Sequence, residues 1–116
     1  MTIINTAVVD TTSKYIVKSI GIKDETDQVM VNGEKIKSGT NRTKVSLIEC
    51  SYSIEGTGTL TISSESENES DYLKFTGKGK YGLRPNQKKF GNDVKMLLST
   101  DSNVKKYLLI TEFRRN

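Results

Sequence analysis

Histidine is absent from the 116 residues, which removes the commonest general base, the usual proton shuttle and the commonest metal ligand. Nucleophilic triads in their common form go with it. Cysteine occurs once, at Cys50, so no disulfide can close within the chain and a structural zinc site lacks ligands. In its setting, Leu47-Ile48-Glu49-Cys50-Ser51-Tyr52, that thiol reads as a small buried hydrophobe rather than a nucleophile. No stretch approaches the roughly 20 apolar residues of a membrane span, and Met1 to Thr6 lacks the basic-then-apolar order of an export signal. The expectation is a protein without membrane contact, in which the sequons at Asn41 and Asn68 carry no meaning. Arginine is scarce: four of the 18 basic residues, Arg42, Arg84, Arg114 and Arg115. Bidentate reading of phosphate or guanine favours arginine, and a formal net charge of +4 is mild, so nucleic acid is not the expected partner. No cofactor, metal or catalytic residue is expected.

What the chain has in quantity is short β-favouring segments separated by polar, glycine-bearing turns, the pattern of a sandwich or barrel. Thr6–Val9 and Lys14–Ile22 read as strands, the second with Ile16, Lys18, Ile20 and Ile22 on one face and with Gly21 as a bulge candidate. Gln28–Val31 is a third strand, and Asn32-Gly33 predicts a tight hairpin turn into Glu34-Lys35-Ile36. A long central strand over Lys44–Ile54 puts Ile48, Cys50, Tyr52 and Ile54 on one face and Val45, Leu47, Glu49, Ser51 and Ser53 on the other. Gly56 to Gly58 then predicts a hairpin into Thr59–Ser63. Tyr72–Phe75, Asp93–Ser99 and Lys106–Phe113 complete a set of about eight strands, consistent with two packed sheets. The expected fold is one all-β domain over residues 1–116, an antiparallel β-sandwich of jelly-roll-like form with extended termini.

Two acidic clusters, Asp24/Glu25/Asp27 and Glu65/Glu67/Glu69/Asp71, match no calcium-loop spacing and read as solvated turns. Residues 77–89 read as a long basic loop. Its Gly77-Lys78-Gly79-Lys80-Tyr81-Gly82 lacks the spacing and terminal Lys-Ser/Thr of a phosphate loop. Residues 72–92 do carry six basic side chains, Lys74, Lys78, Lys80, Arg84, Lys88 and Lys89, no acidic one, and interleaved Tyr72, Phe75, Tyr81 and Phe90. That composition suits either docking on an acidic neighbour or, as the alternative, a small OB-like barrel gripping single strands of nucleic acid.

The opening Val8-Val9-Asp10 with Lys14-Tyr15-Ile16-Val17, the strand beginning Lys44-Val45-Ser46-Leu47, and the closing Lys106-Tyr107-Leu108-Leu109-Ile110-Thr111-Glu112 resemble small all-β virion structural proteins of tailed bacteriophages. The likeness is greatest to the capsid decoration or cement proteins of marine phages. It implies a non-enzymatic protein made in the host cytoplasm and carried on the virion, oligomeric on the particle, with the major capsid protein or other virion proteins as partners. Related small β proteins also occur at the neck and tail, which is a second implied position. The partner-binding residues expected are Lys78, Lys80, Tyr81, Arg84, Lys88, Lys89, Arg114 and Arg115, with the terminal segments Met1–Asn5 and Glu112–Asn116 reaching a neighbour.

Overall fold

A computed structural model describes residues 3–11, 13–36, 42–82 and 89–116. Among the described residues ten strands form, in the order β1 (Ile4–Asp10), β2 (Lys14–Ile22), β3 (Gln28–Asn32), β4 (Val45–Gly56), β5 (Leu60–Ser64), β6 (Leu73–Phe75), β7 (Lys78–Tyr81), β8 (Phe90–Asp93), β9 (Lys95–Thr100) and β10 (Val104–Arg115). One sheet runs β1-β2-β10-β4-β7, with β8 also on β4; the other runs β3-β9-β5-β6. Every pairing is antiparallel. The pairs nest: β5 with β6 innermost, then β4 with β7 and β8, β3 with β9, and β2 with β10, alternating between the two sheets. A long hairpin rolled over on itself produces that order, which is a jelly roll. The strand order is not that of an OB barrel.

Side chains from the two inner faces fill the space between the sheets. Val17, Leu109 and Phe113 from the first sheet meet Leu60, Ile62, Met96 and Leu98 from the second, all fully buried. Cys50 is buried among them. Low dielectric around it, then the charge of Glu49, against a hydrogen bond from the Tyr81 backbone, push its thiol up to about 12. It is a core residue, as its sequence setting implied.

The long central strand has a feature that alternation hides. Opposite β10, Glu112 pairs with Glu49 but Phe113 pairs with Leu47, so Ile48 is an extra residue. A bulge of this kind reverses the parity of the strand. Val45 and Leu47 therefore point inward together with Cys50 and Ile54, whereas strict alternation would put them on opposite faces.

Four local readings change in the same way. Asn32 does not turn a hairpin. Its side chain accepts the Glu34 N–H at 3.1 Å and starts a 3₁₀ turn over Gly33–Lys35, while β3 pairs with β9. The turn at Gly56, whose φ is +99°, carries the chain from one sheet to the other rather than into a hairpin, because β5 pairs with β6 and β9. Asp101 fastens that crossing by accepting the Thr59 and Asn103 N–H groups at 3.0 Å each. Gly21 stands in regular register with Tyr107; it is no bulge, but a position where a side chain would collide with Glu25 and the Tyr107 hydroxyl. Residues 78–81, expected in a loop, form β7 against β4.

Candidate docking face on the six-stranded sheet

Because paired residues of an antiparallel ladder share a face, the register lays out the solvent side of the larger sheet. One row runs Ile4, Ile20, Leu108, Ser53, Lys78, and the next runs Thr6, Lys18, Ile110, Ser51, Lys80. Ile22, Lys106 and Glu55 close one end; Ile16, Glu112 and Glu49 close the other. The face of β2 carrying Ile16, Ile20 and Ile22 thus looks outward, and Val17 and Ser19 look in. Ile20, Leu108, Ile110, Ile4 and Val8 remain 39–60% exposed, an unusual concentration of large aliphatic surface on one sheet. Ile4, Ile20, Ile22 and Leu108, with Lys18 and Lys106 among them, line a shallow trough of about 510 Å³.

Charges frame this apolar field. Lys106 lies 3.7 Å from Glu55 at one end, and Lys14 lies 3.9 Å from Glu112 at the other. Glu49 and Glu112 stand directly opposite each other, and like charges so placed weaken a sheet unless cations sit nearby. Lys78 and Lys80, exposed on β7, form the basic margin on the far side.

Of the residues singled out in the sequence, Lys78 and Lys80 lie on this face and Arg114 is exposed near its end. Lys89 is exposed elsewhere, just before β8. Arg84 and Lys88 lie outside the described residues. Tyr81 points inward: it is half-buried and packs at 5.9 Å from Phe75, which stacks at 4.5 Å on Tyr52. Phe75 and Phe90 are core residues, so the aromatics interleaved with the basic ones stabilise the sandwich and present no stacking platform. Arg115 is 2% exposed and donates to the Thr11 carbonyl at 3.0 Å. The closing segment is no arm, since β10 runs to Arg115 between β2 and β4, and Asn116 N–H bonds the Lys44 carbonyl. At the other end, Asn5 accepts the Ser19 hydroxyl at 2.6 Å and donates to the Val29 carbonyl at 2.9 Å, which fixes β1 to both sheets.

Glu25, read as part of a solvated turn, is 2% exposed. Asp24 and Asp27 adopt left-handed backbone conformations on either side of it. Its Oε1 accepts the Tyr107 hydroxyl at 2.6 Å and the Ile22 N–H at 3.2 Å, while Oε2 has no partner. Burial, then the hydrogen bond and charge of Glu25, hold the Tyr107 hydroxyl well above its ordinary pKa. Thr100 completes the cluster: its hydroxyl donates to the Ile22 carbonyl at 2.7 Å and accepts the Glu25 N–H at 3.0 Å. The group ties the crossing between sheets to β9 and β10. Among the described residues no set of three histidine, cysteine, aspartate or glutamate side chains converges as metal ligands.

The sequence matches no protein-family model and none of the curated proteins. Among solved structures, the chain is similar to a cupin domain from Bordetella pertussis Tohama I, at TM-score 0.49 and 9% identity, covering 99% of this chain and 94% of that one. It is also similar to an RmlC-like cupin family protein with a double-stranded β-helix fold from Methanocaldococcus jannaschii, at TM-score 0.40 and 16% identity, covering 98% and 80%. The jelly roll described above stands on the chain's own strand pairing.

Proposed function

We propose that the chain is a non-enzymatic structural protein of a phage virion, a decoration or cement protein that binds the outer capsid surface and strengthens contacts between capsomers. The observation that carries this reading is the exposed aliphatic field on the outer face of the six-stranded sheet, with Lys78 and Lys80 along its margin. Complete burial of an isoleucine or leucine is worth about 1.5–3 kcal/mol. Docking the 39–49% still exposed on Ile4, Ile20, Leu108 and Ile110 then contributes about 1 kcal/mol each. Association itself costs an estimated 4–15 kcal/mol, so one copy on one site binds weakly. A protein that sits at many equivalent places on a closed lattice tolerates that weakness, because contacts to more than one capsomer multiply. Binding only the assembled shell stabilises that state by mass action.

Co-sedimentation with assembled capsids, run beside single-stranded DNA across a salt series, tests the reading. Saturable capsid binding at a fixed number of copies per capsomer is expected. Steeply salt-dependent DNA binding without capsid binding rejects it and favours nucleic acid as the partner.

A further inference from the structure

The sheet edges of the sandwich are not protected alike. Natural proteins blunt edges with lysine, proline, bulges or very short strands, because an open row of backbone N–H and C=O groups invites another strand. On the larger sheet, the β7 edge carries exposed Lys78 and Lys80. On the smaller sheet, β6 is three residues long and carries Lys74, and β3 has a register shift next to Met30 and runs directly into a 3₁₀ turn. The β1 edge has none of these devices over its first half. Ile4-Asn5-Thr6-Ala7 is exposed, uncharged, free of proline and in unbroken register with β2; the single irregularity falls at Val8. It is also anchored, since Asn5 bonds inward to Ser19 and Val29. Among the described residues no strand pairs with its outer side.

We infer that β1 pairs antiparallel with β1 of a second copy of this chain, making one continuous sheet across a two-fold axis. Self-pairing brings each β1 against its own sequence, and an uncharged segment does so without repulsion. A charged peptide would find no complement along Ile4–Ala7. Pairing also sets the aliphatic field of one copy beside that of the other, because Ile4 borders it. The contact is small, so the dimer is a weak one that fills at high micromolar concentration or when copies are crowded on a surface. The inference concerns the free protein and is independent of the capsid reading.

Sedimentation of the intact protein over a concentration series tests it, with an expected rise to twice the chain mass. Thr6→Glu with Val8→Glu keeps an attractive partner for Lys18 within the sheet yet places like charges across the axis; it remains monomeric with an unchanged melting temperature. Thr6→Lys with Val8→Lys is monomeric too, with a slightly lower melting temperature because the new lysine stands opposite Lys18, and an equimolar mixture of the two variants regains the dimer. Leu108→Lys with Ile110→Lys leaves dimerisation unchanged. A wild type that stays monomeric at the highest concentration, a mixture that fails to pair, or a dimer lost only in the Leu108/Ile110 variant each overturns the inference.

Discussion

Replacing Tyr107 by Phe removes one hydroxyl from the interior and little else, which makes it a clean probe of the Glu25 cluster. In the native chain Glu25 Oε1 receives two donors, from Tyr107 and Ile22, and Oε2 receives none. After the substitution the buried carboxylate keeps the Ile22 N–H alone. A hydrogen bond to a charged group contributes about 1.5–3 kcal/mol. For a domain of this size each kcal/mol moves the melting temperature by about 3–6 °C, so Tyr107→Phe should lower it by roughly 5–18 °C. Glu25→Gln keeps an acceptor for Tyr107 while removing the buried charge. In that background the tyrosine substitution should cost only the about 0.5–1.5 kcal/mol of a neutral hydrogen bond. The pH dependence supplies a second signature. Tyr107 is held protonated in the fold beyond its ordinary 10.0, so above pH 10 the unfolded chain releases a proton that the folded one keeps. Stability then falls with rising pH, by about 1.4 kcal/mol per unit from this residue. The advantage of wild type over Tyr107→Phe should narrow at that rate above pH 10. Urea denaturation of the four proteins of the cycle from pH 7 to 11 measures both effects. An equal cost of Tyr107→Phe with and without the Glu25 carboxylate, or a gap that does not narrow, refutes the reasoning.

Two further outcomes follow from groups elsewhere in the sandwich. The Cys50 thiol, raised to about 12 by burial first and then Glu49, should resist thiol reagents at pH 8 in the folded protein and react at once in denaturant. The Asp93 carboxyl is drawn below its ordinary range. Burial acts upward on it but is outweighed by hydrogen bonds from the Ser64 hydroxyl and from the Ser66 N–H and hydroxyl, and by the charge of Lys44. A depressed carboxylate contributes stability above its unfolded value of 3.8 that is lost as pH falls through that region. Asp93→Asn should therefore flatten the acid limb of the stability profile below about pH 4, as read from urea midpoints.

The class of fold was legible because strand length, turn chemistry and the lack of helical periodicity agree over most of the chain. The sheet in which each strand lies was not. Gly56 looks like a hairpin turn in sequence, yet what separates a turn within a sheet from a crossing between sheets is the distant anchor at Asp101. Faces were hidden for two reasons. A single extra residue at Ile48 reverses parity within β4, and aliphatic residues occupy both sides of β2 and β10. The core side of β2 is set by what it meets: Ser19 meets Asn5, and Gly21 leaves room for Tyr107 and Glu25. Glu25 looked solvated because its neighbours Asp24 and Asp27 are; its partner Tyr107 lies 82 residues away. Of the basic residues singled out, Lys78 and Lys80 fall on the outer face of the six-stranded sheet because β7 pairs with β4 beside Ser53 and Ser51. The aliphatic residues at its centre were missed because a strand with apolar side chains on both faces reads as buried.

Under the proposed function, the outer face of the six-stranded sheet attaches the protein to a capsid. The most direct measurement is co-sedimentation of wild type and of Leu108→Lys with Ile110→Lys with assembled capsids, with circular dichroism and melting temperature recorded for both. Both substituted residues are well exposed, so folding should be unaffected, while saturable binding of the wild type should fall at least tenfold in the variant, since each 1.4 kcal/mol lost is a factor of ten. A folded variant that binds capsids as well as wild type contradicts the claim.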